Sequence, residues 1–203
     1  MLSWLGALQA GLAGLESRPV TVVLGNTACD MDSGVSSLVL ASHRNTAQHP
    51  VIPVLNINSQ DFPLKTELVA ALEEQNIQAE HLLFRDTIDI RRIPDLHLIL
   101  VDHNLLSAED ADLSEKVVEI YDHHVKETDL ATNCIIETSG SCSSIVLRQV
   151  LEENPQFCDQ ACLRLVWQTI LLDTVNLQQA AKRVTPLDLQ AGIVTLSALH
   201  CCE

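Results

Sequence analysis

Three segments of the chain combine carboxylates with amide or imidazole groups: Asn26-Thr27-Ala28-Cys29-Asp30-Met31-Asp32, Asp102-His103-Asn104 and Asp122-His123-His124. A single Asp in such a place is usually a helix cap or a solvated loop residue. Three clusters that converge resist that reading, because carboxylates aimed at one another are costly unless cations neutralise them. Hard divalent ions such as Mg²⁺ or Mn²⁺ suit oxygen ligands, and Mn²⁺ also accepts imidazole. The spacing Asp30-x-Asp32 can aim two carboxylates at two neighbouring ions, and Asp102 is the natural bridge between them. Asp173 is a fourth candidate, in the apolar stretch Thr169-Ile170-Leu171-Leu172-Asp173. An acid there is costly if unpaired, and a helix-end Asp with a local partner explains it equally well. Gly140-Ser141-Cys142-Ser143-Ser144 precedes a helical pattern. Its N–H groups and hydroxyls can hold a phosphate or form a plain N-cap.

The elements that must carry these residues are legible in the hydrophobic pattern. Val20–Leu24 is a short β-branched run closed by Gly25, the mark of a buried parallel strand. Similar runs predict strands at Val51–Leu55, Leu96–Val101 and Val117–Tyr121, a weaker one at His81–Phe84 and a short edge strand at Ile135 and Ile136. Helices are expected at Ser33–Ser42, from Pro63 to Gln75, and at Ser141–Glu153, Asp159–Leu172 and Pro186–Leu199. Ser107 with Asp110 resembles a helix-capping arrangement. Strands alternating with helices imply an α/β fold: a doubly wound, mainly parallel sheet of five to six strands, helices on both faces and a helical C-terminal part. In such sheets ligands bind at the carboxyl ends of the strands. The three acidic clusters each follow one of the best strands.

Composition narrows the field. The chain has 203 residues, enough for one well-packed domain, and only 3% aromatic residues, so the core must be aliphatic. Lys and Arg total 12 against 27 Asp and Glu, a formal net charge of -15. Such a surface repels a nucleic-acid backbone and an anionic membrane. No apolar run reaches the roughly 20 residues of a membrane span. Met1 to Gly14 is apolar but lacks a basic leading region, and Leu2, Leu5, Leu8, Leu12 and Leu15 recur at helical spacing. It reads as an amphipathic helix packed on the domain. The seven cysteines are odd in number and scattered, which fits a reduced, cytoplasmic setting. Cys158 and Cys162 lie one helical turn apart but no second thiol pair supports a zinc site, so they read as buried small hydrophobes. Cys201 and Cys202 read as an unstructured end.

Several chemistries are excluded by missing motifs. There is no His-Glu-x-x-His, no P-loop, no G-x-G-x-x-G after the first strand and no G-x-S-x-G elbow. The set Asn26-x-x-x-Asp30-x-Asp32, Asp102-His103-Asn104, Asp122-His123-His124 and Asp173 instead resembles the DHH phosphoesterase superfamily. That superfamily includes family II inorganic pyrophosphatases, exopolyphosphatases and RecJ-type nucleases. Val23 to Ser33, Pro53 to Ile57, Phe84 to Asp89, Gly140-Ser141-Cys142 and Ile170 to Asn176 are similar to its prune and exopolyphosphatase branch. The resemblance spans roughly residues 17 to 190.

The resemblance implies a phosphohydrolase with two divalent cations, Mn²⁺ or Mg²⁺, acting on short inorganic polyphosphate or pyrophosphate. By it, Asp30 and Asp102 hold one ion, with Asn26 where family II pyrophosphatases have His. Asp32, Asp102, His123 and Asp173 hold the other, with Asp102 bridging. His124 faces the substrate phosphate, while Asp122 and His103 orient the ligands. Two ions about 3.5–4 Å apart would activate a water for in-line attack. Ser141, Arg148 and Lys126, with Arg85, are the candidates for phosphate contacts. Full-length members carry a further cap domain that supplies cations to the site. The resemblance therefore divides this chain into a catalytic domain at 1–184 and a truncated linker helix at 185–203. A homodimer or a protein partner on the face left by the cap is expected. Two readings stay open: a metal-dependent phosphohydrolase, and a metal-binding interaction module of impaired activity. A nucleotide-binding Rossmann-like module is a more distant third.

Overall fold

The computed structural model describes Leu5 and residues 19–131 and 133–200. The expected helix over Met1–Gly14 and the end at Cys201 and Cys202 lie outside the described residues, except Leu5, which is fully buried in the core.

Five strands form one wholly parallel sheet: β1 (Val20–Leu24), β2 (Val51–Val54), β3 (Leu96–Val101), β4 (Val117–Asp122) and β5 (Asn133–Ile136). Their spatial order is β2-β1-β3-β4-β5. The order reverses direction at β1, so the crevice beside its carboxyl end is where such a sheet accepts a ligand. β2 contains Pro53, which an edge strand tolerates because its missing N–H is not needed by a second neighbour. Among the described residues from 19 onward, the α-helices that accompany the sheet are α1 (Met31–Arg44), α2 (Thr66–Glu74), α3 (Cys142–Glu153), α4 (Gln160–Asp173) and α5 (Pro186–His200).

The alternation of side chains along each strand separates two cores. Val23, Ile99 and Val101 face the layer built by α1, α3 and α4, with Leu38, Ile145 and Leu163 fully buried in it. Val22, Leu24, Leu98 and Leu100 face the opposite side. Among the described residues, that side is covered by short 3₁₀ helices, through residues such as Ile90 and Leu113, rather than by α-helices.

Most expected elements appear with shifted ends. The expected strand at His81–Phe84 does not form: Ala79–His81 is a 3₁₀ turn, and only Phe84 bridges the sheet, opposite Leu55. The helix expected from Pro63 is split. Pro63 sits inside a 3₁₀ helix at Ser59–Leu64, and α2 begins only at Thr66. Ser141 and Asp159 are N-caps of α3 and α4, their side chains accepting from Ser143 N and Cys162 N. Among the described residues, no helix is long and apolar enough to cross a membrane.

The layers are pinned away from the crevice by Arg44 at the end of α1. Its guanidinium donates to Glu119 (2.7 Å) and the Tyr121 hydroxyl (2.8 Å) of β4 and to Glu153 (2.5 Å) of α3. Its side chain is only 15% exposed, so removal leaves two half-buried carboxylates without their cation. Arg44→Met is expected to lower stability by about 2–3 kcal/mol, read from the midpoint of urea unfolding; a change within a few tenths would mean the hub is only decorative.

Candidate metal centre

Five segments converge on one cleft of about 290 Å³, lined by Asp30, Asp32, Asp102, His123, His124, Gly140, Asp173 and Arg183. The first loop turns after β1 with Cys29 at φ 46° and delivers Asp30 as the N-cap of α1, its Oδ1 accepting from Ser33 N (3.0 Å). Asp32 follows inside the first turn. It is buried and lies against the start of α3, where Cys142 N (2.6 Å) and Ser143 N (2.8 Å) both donate to it. The Ser141 and Ser143 hydroxyls add bonds of 2.9 and 2.7 Å to Asp32 Oδ1. A carboxylate thus occupies the anion site at the head of α3. Of the two readings of this segment, phosphate site and plain N-cap, Ser141 fills the second, and its hydroxyl and the N–H groups of Cys142 and Ser143 donate to Asp32.

Asp102 follows β3 with φ 61° and is 2% exposed. The left-handed backbone, which Asp tolerates better than most residues, turns the carboxylate back over the sheet edge. Its Oδ2 accepts from Asn26 Nδ2 (2.8 Å), while its buried Oδ1 has no hydrogen-bond donor. Asn26 Oδ1 accepts from Cys29 N (3.0 Å). Asn26 therefore reaches the site as a donor to Asp102, with its own oxygen engaged in the turn.

His123 and His124 follow β4. His123 Nδ1 lies 3.0 Å from Ser139 O, an acceptor only, so that nitrogen carries the proton. Nε2 lies 3.1 Å from Asp102 Oδ1 and 3.8 Å from Asp32 Oδ2, and would offer its lone pair to a cation that took the place of its proton. Two carboxylates and an imidazole nitrogen facing one another suit a cation. His124 is half-exposed and held by Asp122, which accepts from His124 Nδ1 (2.8 Å) and from the N–H groups of both histidines. Asp122, fully buried, is itself fixed by Asn104 Nδ2 (2.5 Å).

Asp173 ends α4. A carboxylate there faces the negative end of the helix dipole. Its buried Oδ2 has no hydrogen-bond partner. The chain then passes through Val175, Asn176 and Leu177, all at φ between 52° and 57°. This left-handed turn is strained, above all at the β-branched Val175.

The electrostatics follow from the geometry. Burial first, then the neighbouring Asp32 and Asp30, pushes Asp102 up to about 7 against the pull of His123. Burial pushes Asp173 up to about 8, with Asp32 reinforcing it. Burial disfavours a charged His123, but Asp102 and Asp32 outweigh it and raise the ring to about 9. Each shift marks a site short of positive charge. Atoms of Asp102, His123 and His124 suited to ligate a metal lie within 4.8 Å of one another. The donor set of carboxylates and imidazoles, with two orphaned oxygens, fits hard divalent cations.

The sequence profile described as the DHH family, N-terminal domain, matches residues 20–170. This chain belongs to the DHH family. The human (Homo sapiens) protein named "Exopolyphosphatase PRUNE1" is 40% identical over 181 residues, which cover 85% of this chain and 40% of that protein. The bovine (Bos taurus) protein of the same name is 38% identical over 211 residues, covering 100% of this chain and 44% of that one. This DHH chain thus spans about two fifths of the length of the curated relatives it matches. An exopolyphosphatase-related protein from Bacteroides fragilis has the same fold, with a TM-score of 0.60 at 15% identity, covering 97% of this chain and 61% of that one.

Within this DHH domain the expected residues divide clearly. Asp30, Asp32, Asp102, His123, His124 and Asp173 line the cleft, Asn26 bonds to it, and Asp122 stands behind His124. His103 instead turns Nδ1 to Val101 O (2.9 Å), and burial lowers its pKa. Arg148 pairs with Glu137, Lys126 with Asp129, and Arg85 with Asp110. None of these cations lines the cleft. Arg183 does, and no motif in the sequence marks it.

A saturating divalent cation, tested with Mn²⁺ at about a hundredfold above its Kd, is expected to raise the melting midpoint by about 5–10 °C. Asp102→Asn should lose most of that increment, yet without metal should melt no lower than wild type, since Asn suits the left-handed backbone and removes a repelled charge. A metal-free variant melting well below wild type would show Asp102 to be a structural anion instead.

Proposed function

We propose that this DHH domain is a divalent-metal-dependent phosphohydrolase that releases the terminal phosphate of short inorganic polyphosphate or pyrophosphate. The observation that carries this reading is the pair of buried, unbonded oxygens, Asp102 Oδ1 and Asp173 Oδ2, on residues that line the cleft with His123. The name of the relatives at 38–40% identity, exopolyphosphatase, supports the substrate class.

Two Mn²⁺ or Mg²⁺ ions, when bound, supply the positive charge that accepts a polyanion and the acidity that activates a water. Asp30 and Asp102 would hold one, and Asp32, Asp102, His123 and Asp173 the other, with Asp102 shared. Asn26 fixes the Asp102 carboxylate through Oδ2, so that Oδ1 stays directed into the cleft. The α3 N-terminus fixes Asp32 through both of its oxygens. Asp122 accepts the Nδ1 proton of His124, and in the doubly protonated ring Nε2–H would be the donor to a phosphate oxygen. Water attacks the terminal phosphorus in line, the bridging P–O bond breaks, and orthophosphate and a chain shorter by one phosphate are released. His124 is the residue placed to share a proton with the leaving side.

A second reading rests on α5. Leu189, Ile193 (67% exposed) and Leu196 point outward from it. A metal-binding module that docks a protein partner through this face would need no turnover.

Phosphate release from tripolyphosphate with Mn²⁺ or Mg²⁺ decides between them. Wild type is expected to release phosphate only with metal, and Asp102→Asn and His124→Gln each to lose about a hundredfold or more in rate. No release by folded, metal-loaded protein would favour the docking module.

A further inference from the structure

We propose that Arg183 is a substrate-binding residue of this cleft, a clamp for a phosphate group of the incoming chain. The inference rests on the phosphohydrolase reading and adds to it the source of cationic recognition within the domain itself. A cleft lined by four carboxylates on a chain of net charge -15 repels a polyanion until it is neutralised. Bound divalent ions would answer the carboxylates, but a phosphate chain longer than the reacting group needs donors beyond them.

Among the described residues, the cations that sequence reasoning favoured are already engaged. Arg85, Lys126 and Arg148 stand in ion pairs, as do Arg44, Arg91 and Arg92. Arg183 is exposed, lines the same cleft as the carboxylates, and forms no ion pair with them. It is the one Arg or Lys in that lining. A guanidinium that served only to neutralise the acids would be expected to bond them directly. One held beside them and left unpaired keeps its fork of donors for another anion.

The backbone around Arg183 is fixed, so its position at the cleft is not accidental to a loose loop. Asp188, fully buried in the first turn of α5, accepts from Gly140 N (2.8 Å), the Ser144 hydroxyl (2.7 Å) and both N and Oγ1 of Thr185 (2.7 Å each). This ties the segment that carries Arg183 to the loop that carries Ser141 and clamps Asp32. The fit is close: a Cβ on Gly140 would come within 2.7 Å of the Arg183 carbonyl oxygen and 2.9 Å of Asp188 Oδ2. The absence of a side chain at Gly140 lets the Arg183 backbone press against the cleft wall. Lys182, at φ 55°, supplies the turn that precedes it.

The test is a calorimetric titration of the full chain, loaded with Mn²⁺, with imidodiphosphate, an uncleavable stand-in for pyrophosphate. Arg183→Gln is expected to weaken binding about tenfold or more, and Arg183→Lys to recover part of the loss. The Mn²⁺-induced rise in melting midpoint should be the same in all three proteins, which separates substrate binding from damage to the metal site. With tripolyphosphate as substrate, Arg183→Gln should raise KM more than it lowers kcat. Binding by Arg183→Gln within about twofold of wild type would overturn the assignment while leaving the phosphohydrolase reading intact. Wild type that binds imidodiphosphate through Arg183 but releases no phosphate would overturn only the catalytic reading. Wild type that binds no imidodiphosphate with Mn²⁺ present would overturn both.

Discussion

Asp102 is buried at the end of the central strand of the sheet with one oxygen unbonded, and Asp32 and Asp30 are close enough to oppose its charge. Much of the surrounding architecture serves to hold these mutually repelling groups in one place. The end of β3 turns left-handed to aim Asp102 inward, Asn26 fixes its outer oxygen, and the head of α3 fixes Asp32. Hydrogen bonds of this kind lower the cost of a buried carboxylate, but they do not remove the repulsion between carboxylates. What remains is a local shortage of positive charge, which raises Asp102, His123 and Asp173 together.

Donors in this site are divided between two tasks. Those of α3, Asn26 and Asn104 are spent on protein carboxylates, which makes the ligand frame rigid. They are therefore lost to the substrate, although a Gly-Ser-rich helix start is a ready anion site by itself. On the proposed function, recognition of a polyanion would fall to bound cations, His124 and Arg183. On that proposal an acidic chain could host phosphate chemistry only through positive charge gathered in the cleft, since its acidic outer surface repels a polyanion.

Sequence reasoning reached the parts of this arrangement that depend on local pattern. The strands β1, β3 and β4 are continuous apolar runs, and their ends locate the three acidic clusters, because a parallel sheet puts all its carboxyl ends on one edge. It failed where the outcome depended on a tertiary partner. His81–Phe84 has a strand-like composition but lies beyond the edge strand β2, with only Phe84 in register to bridge it. Ser141 has the sequence of a phosphate loop; that its donors face Asp32 is settled by the packing of α3 against α1, about 110 residues apart in sequence for the Cys142–Asp32 bond. Arg183 has no motif at all. The signal that could have found it is the Thr185-x-x-Asp188 capping pair, which announces a tightly fixed helix start just after a basic residue.

The site also bears backbone strain. Asp102 and the run Val175–Leu177 sit at positive φ, next to two of the carboxylates that most need a cation. A left-handed residue costs roughly 1–2 kcal/mol, and a carboxylate at the end of a helix dipole adds to that. A fold is only marginally stable, so such costs persist only where the rest of the structure outweighs them. Here the two aliphatic cores, the Arg44 hub and the Asp188 strap lie outside the cation-binding groups and are complete without a ligand. Metal bound in the cleft, as the proposed function requires, would then add its free energy to a scaffold already held by contacts elsewhere.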